Sequence, residues 1–445
     1  MSSSVSGDGP ALLGIRVVFL AAPGPIPQAA MLLSDLGADV IRIDRADGPL
    51  GLTGLPLQID PRTRGQRGIA VDLKCASGLE IARLLAADAD VFVEGMRPGV
   101  AERLGLGPNE LRTNHPGLIY ARMTGWGQDG PMSQRAGHDI NYLSIAGALH
   151  PLGPADREPV APLNLVADFG GGGLYLVTGI LAALVQRGRT GNGQVIDAAM
   201  VDGVASLTSM FHGMLAAGVW STERESNIFD GAAPFYRTYR TADGQFMAVG
   251  ALEPQFYRQL LTGLGLKPAE WPQHDRSRWP ELIERIAGVF ATAGRDYWTQ
   301  SFSGTDACVT PVLSLSEAAT AESLTARSVF IERDGLVQPA PAPRLSDSPP
   351  QVGHRSGWGS HTDAVLAELG YSQTQIGRLR ADGIVSGPNP DTGAATRAGA
   401  LPSSEDGRPF LGEGALAFQV VRRAEACLDH RVDAGEVSLD RKSVV

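Results

Sequence analysis

The chain has 445 residues, with 38 Lys plus Arg against 48 Asp plus Glu, a formal net charge of −10 and three cysteines. An acidic chain without a basic block excludes general nucleic-acid binding, which rests on Lys and Arg neutralising phosphates. Hydrophobic residues are 43% and charged residues 19%, enough for a large core, and Cys75, Cys308 and Cys427 lack zinc or redox spacing, which excludes a disulfide framework and a thiolate metal site.

The start, MSSSVSGDGP, has no charged residue leading an apolar run, and the end, RKSVV, carries no retention or peroxisomal signal. The expected location is therefore the cytoplasm. Residues 15–20 predict a strand, 28–36 a helix that stops at Gly37, and 39–43 a second strand. Strands at 68–73, 90–94 and 118–123 follow, with a helix over 79–87. Strands alternating with helices imply right-handed crossovers and a parallel sheet, a Rossmann-like α/β pattern. The first turn reads Ala21-Ala22-Pro23-Gly24-Pro25, without G-x-G-x-x-G, which counts against NAD.

An apolar helical run over 143–149 follows Gly137-His138-Asp139-Ile140-Asn141-Tyr142, with Asp139 expected at the N-cap. Residues 169–186 carry no charge, but the apolar heart spans only 174–185. That length predicts a buried core helix and no membrane span. Near Asn227 the texture changes. Runs at 235–240 and 245–250 flank Asp243-Gly244, a hairpin signal, and helices are expected from Glu253-Pro254, after Trp279-Pro280 and around Asp296. Together they predict a smaller α+β domain over 227–325. Prolines near 339–343 and 349–350 mark an extended connector, short helices fall near 362–369 and 374–381, and 386–445 reads as a disordered tail.

No nucleophile elbow, P-loop or zinc-protease signature is present. The acid–base candidates are His138 and Asp139 at a helix start, Asp168 before Gly170–Gly173, and Glu253 at another helix start. Taken singly, the carboxylates read more readily as caps or dipole partners than as catalytic groups. Four successive glycines are expected to admit a bulky ligand close to the backbone. Arg42, Arg45, Arg64, Arg67, Lys74, Arg97, Arg103 and Arg122 supply cations suited to phosphate oxygens, several at strand ends.

These blocks together resemble the family III CoA-transferase superfamily, most closely its α-methylacyl-CoA racemase branch. The resemblance is carried by LGADVIRIDR, VDLK, RPGVAERLGLGP, LIYARMTGWGQ, AGHDINYLSIAGALH, APLNLVADFGGG, GNGQVIDAAMVDG, FYRTYRTADGQFMAVGALEPQFY and TDACVTPVL. It implies a CoA-binding large domain over 11–205, a linker over 206–226, the small domain over 227–325, and a return linker with C-terminal large-domain helices over 326–385. It also implies a ring-shaped protomer in an interlocked homodimer. The implied reaction is 1,1-proton transfer at the α-carbon of 2-methyl-branched acyl-CoA thioesters, without cofactor or metal, CoA entering as part of the substrate. His138 and Asp168 would be the proton carriers and Glu253, from the partner, would hold His138. The Asp139 N–H would face the thioester oxygen. Arg45, Val71, Asp72, Leu73, Lys74, Arg97, Arg103 and the Gly137, His138, Asp139, Ile140, Asn141, Tyr142 run would line the CoA path. Two alternatives stay open: CoA transfer between carboxylic acids with Asp168 as nucleophile, and acyl-CoA binding without catalysis.

Overall fold

Short β-branched and apolar runs bounded by turns become the strands of one large sheet. The computed structural model describes residues 9–49 and 55–388. β1 (Arg16–Leu20), β2 (Asp39–Arg45), β3 (Gln66–Val71), β4 (Val91–Glu94), β5 (Ile119–Thr124) and β6 (Val195–Ala199) run parallel. β7 (Tyr236–Arg240), β8 (Phe246–Gly250) and β9 (Val309–Pro311) form a separate antiparallel sheet, and β10 (Phe330–Arg333) pairs with β11 (Leu336–Pro339). β12 (Val385–Ser386) then returns antiparallel to β3, giving the order β12-β3-β2-β1-β4-β5-β6. The order reverses between β1 and β4, the place where open α/β sheets leave a crevice at their carboxyl ends.

Period-two alternation assigns each strand residue to one face. Val17, Phe19, Val91, Val93, Ile119 and Ala121 meet the helices Pro25–Asp35 and Tyr175–Thr190. Val18, Leu20, Ile41, Phe92 and Tyr120 meet Ala76–Ala87 and the C-terminal helices Thr362–Glu368 and Gln373–Ala381. The β7–β9 sheet packs on helices Pro254–Gly263, Trp279–Phe290 and Arg295–Ser301 through an aromatic core that includes Phe235, Tyr257, Trp279, Phe290 and Trp298.

Several expectations need correction. β3 starts and ends two residues before the expected 68–73, because Gln66 and Arg67 find polar partners at the sheet: Gln66 on the Arg62 carbonyl, Arg67 on Asp39 and Glu368. The expected buried helix over 174–185 hides one face only. Leu176, Val177, Ile180 and Ala183 are buried while Leu174, Tyr175 and Val185 are exposed. By length and composition alone, Leu165–Thr190 is long and apolar enough to cross a membrane. The β10–β11 hairpin was not anticipated, although Asp334-Gly335 repeats the Asp-Gly signal, both residues with positive φ. Ser386, expected to open the tail, pairs with Ala70 in the sheet; the rest of the expected tail, 389–445, lies outside the described residues.

Candidate active site

At the carboxyl ends of β1, β2, β4 and β5 the connections enclose a cleft of about 720 Å³, the position ligands take in open parallel sheets. His138, Asp139, Tyr142 and Asp168 lie on its wall with Arg97, and buried Phe19 edges its floor. A neighbouring cavity of about 440 Å³ is lined by Arg45, Val71, Asp72, Leu73 and Lys74, and shares Ala21, Asp44 and Met96 with the first.

His138 is the N-cap of helix Asp139–Ile145, held in extended backbone at φ −132° and ψ 173°. Its N–H donates to Asn141 Oδ1 at 3.0 Å. The residue before it must be small: a Cβ on Gly137 would stand 2.8 Å from the Tyr142 ring and 3.0 Å from Trp126. The Tyr142 hydroxyl donates to the Gly137 carbonyl at 2.5 Å. Burial, and then the charges of Asp168 and Asp139, push the Tyr142 phenol up to about 12, so it stays a neutral donor.

The cap therefore sits one residue before the expected Asp139, whose carboxylate is committed elsewhere. Asp139 Oδ2 accepts the N–H groups of Ala167 at 2.7 Å and Asp168 at 2.8 Å. Both belong to a π-helical segment, Leu165–Leu174, whose first turn lacks intrahelical acceptors. Asp168 is thus inside this segment and does not cap it. Its Oδ2 accepts from Asn164 Nδ2 at 3.1 Å. Burial raises the Asp168 pKa above the ordinary carboxylate value and Asp139 adds to the rise, against opposing pulls from Asn164, His138 and Arg62.

The four glycines do not open the backbone to a ligand. A Cβ on Gly171 would stand 2.8 Å from the Val204 nitrogen, and one on Gly203 would fall 1.9 Å from the Gly171 carbonyl oxygen. Gly171 lets the π-helical segment cross helix Met200–Leu207 at backbone contact, while Gly172 and Gly173 pack against Pro25. Four of the eight cations are likewise committed internally. Arg42 pairs with Asp44, Arg64 with Asp35, Arg67 with Asp39 and Glu368, and Arg122 with Glu94 and Glu102. Arg45 is held by Asp47 at 2.6 Å, with Lys74 3.9 Å from the same carboxylate. Ile140, Asn141 and Arg103 are exposed and line neither cavity. Glu253 is exposed at the N-cap of helix Pro254–Gly263, also off both walls. The sequence reading did not single out Asn164, Arg62 and Trp126, which line the cleft; Asn164 and Trp126 lie within the blocks APLNLVADFGGG and LIYARMTGWGQ, and Arg62 sits in the short helix Pro61–Thr63.

A model of CoA-transferase family III matches residues 12–361. The chain is 48% identical over 378 residues to the α-methylacyl-CoA racemase of Mus musculus, covering 84% of this chain and 97% of the mouse protein. It is 46% identical over 381 residues to the Homo sapiens racemase, with the same coverage of each chain. Among solved structures, a CAIB/BAIF family protein from Brucella suis superposes with a TM-score of 0.71 at 29% identity, covering 81% of this chain and all of that one.

Proposed function

The chain belongs to CoA-transferase family III, and from that premise we propose that it interconverts the epimers of 2-methyl-branched acyl-CoA thioesters by 1,1-proton transfer. One observation carries the reading: an imidazole and a carboxyl with a raised pKa share the wall of one cleft, in a chain similar to named racemases over most of its length.

Inverting a stereocentre needs a proton carrier on each face. In this scheme His138 removes the α-hydrogen from one side while protonated Asp168 returns a proton from the other, and the roles exchange in the reverse direction. A carboxyl acts as acid near neutrality only if its surroundings favour the protonated form, and burial supplies that for Asp168. The charge that develops on the thioester oxygen would meet the Asp139 N–H, first in its helix and so without an intrahelical acceptor. General acid–base transfer supplies about 10²–10⁴-fold and an oxyanion donor about 10²–10³-fold, so both are needed for the roughly 10⁶-fold that enzymes provide. Arg45 and Lys74 would hold the nucleotide end of CoA in the smaller cavity, and Arg97 would serve the larger one. CoA enters as part of the substrate, and the proton transfers fall to this chain's own side chains.

The same reading takes two copies. Glu253, off the cleft of its own protomer, would reach His138 of the partner. The exposed Leu163, Leu165, Leu174, Val185, Leu207 and Leu215 give an apolar surface of the kind that a subunit contact covers.

The test is deuterium wash-in at the α-carbon in D₂O, with each 2-methylacyl-CoA epimer and no acceptor acid. Exchange together with epimerisation is expected. Acceptor-dependent CoA movement without exchange would assign transferase chemistry instead, and binding without either would leave only a CoA-binding protein.

A further inference from the structure

The Asp139 side chain does something its backbone amide does not, and the argument rests on the racemase reading above. The residue is 5% exposed. Oδ2 accepts two N–H groups, while Oδ1 is buried and meets no donor among the described residues. Capping two N–H groups needs no charge, since Asn or Ser does it as well. A buried carboxylate with one oxygen unpartnered carries a desolvation cost that an amide of the same shape largely avoids. What the charge alone supplies is a field on the neighbouring Asp168, whose peptide N–H it also holds.

We propose that the Asp139 carboxylate is a positioning residue for Asp168, fixing the turn that carries it and favouring the form that holds a proton. The groups facing Asp168 make this a balance. Asn164 donates to it from the preceding turn, His138 and Arg62 oppose the rise of its pKa from two other elements, and Tyr142 faces it as a neutral phenol. Arg62 is itself engaged by Asp60, at 2.7 Å. Against these, Asp139 is the opposing charge, and it comes from the same helix start as His138. One helix terminus thereby sets both proton carriers in place.

Asp139→Asn tests this because it keeps the size and one acceptor but removes the charge. The ascending acid limb of kcat/KM is expected to move to lower pH. For the epimer that His138 deprotonates, inversion, which needs the proton on Asp168, should slow by about tenfold relative to that epimer's own α-deuterium exchange, while exchange of the epimer that Asp168 deprotonates stays within about threefold. Equal slowing of both epimers with the acid limb unmoved would overturn the proposal, because that is what loss of a structural cap predicts. If Asp139→Asn does not fold, infrared titration of the parent against Asp168→Asn decides. The two carboxyls must titrate as an interacting pair, and independent titration rejects the inference. A parent that exchanges neither epimer would remove the racemase reading, while the infrared coupling still decides the carboxylate pair.

Discussion

A carboxyl in water is almost wholly ionised near neutrality, so the proton return proposed for Asp168 asks more than its residue type supplies. Burial makes up the difference and carries a stability consequence. Because the folded pKa is raised, the folded state binds the proton more tightly than the unfolded chain. The stability this contributes is complete below the unfolded value and is lost as pH rises through the folded one. Asp168→Asn is therefore expected to raise Tm near neutrality relative to the parent, with the difference closing as pH falls through the carboxyl range. The same variant should lose about 10²–10⁴-fold in epimerisation. Thermal scans across pH, run beside exchange assays, check both halves, and a Tm lower than the parent's at neutral pH would contradict the account. His138→Gln should lose a comparable factor in turnover and, by removing a pull that opposes the raised Asp168 pKa, should enlarge the pH dependence of Tm near the carboxyl range.

Between elements, the contact that matters most is the crossing of the π-helical segment over helix Met200–Leu207. With no room for a Cβ at Gly203, Gly203→Ala should destabilise by about 1–3 kcal/mol and lower turnover as well, since Gly171 and Asp168 share one segment; chemical denaturation and kcat measured together check this. This crossing also marks the limit of what sequence alone revealed. The parallel sheet was legible because β-branched runs and helical spacing alternate from residue 15 to 123, and each buried face follows from that period. Asp243-Gly244 gave away its hairpin in the same manner. The glycine run was visible, but a row of glycines has the same appearance whether a ligand or another helix lies against it. The cap at His138 was displaced for a similar reason: the groups that claim the Asp139 carboxylate lie 28 and 29 residues further along the chain. The cations misled too, since nothing local distinguishes Arg45 from Arg64, which is sealed against Asp35.

At the scale of the molecule, the segment after β9 straps the fold together. Arg64, 2% exposed at its side chain, holds Asp35 through two bonds and also donates to Gln338 and the Pro339 carbonyl on β11. Further on, the Gln351 and Gly65 amides bridge helix Pro25–Asp35 and the β3 approach to this strap. Removing one partner of such a buried pair leaves the other uncompensated, so Arg64→Met should lower stability by about 3–5 kcal/mol, read by denaturation, and speed limited proteolysis near residues 340–350. A subunit-level prediction follows from Glu253. If the proposed dimer shares its sites, co-expressed His138→Ala and Glu253→Ala chains, each inactive alone, should recover about a quarter of parental turnover, because half the dimers would be mixed and each mixed dimer would restore one of two sites. No recovery would place Glu253 outside the partner's site. Finally, β12 pairs with β3 through Val385 and Val71, so the flank of β3 is completed by residues made about 300 positions later. At ribosomal rates of about 5–20 residues per second, that strand waits some tens of seconds with an open edge. The nascent chain is most exposed to aggregation in that interval, and truncations that stop short of Val385 should prolong it indefinitely.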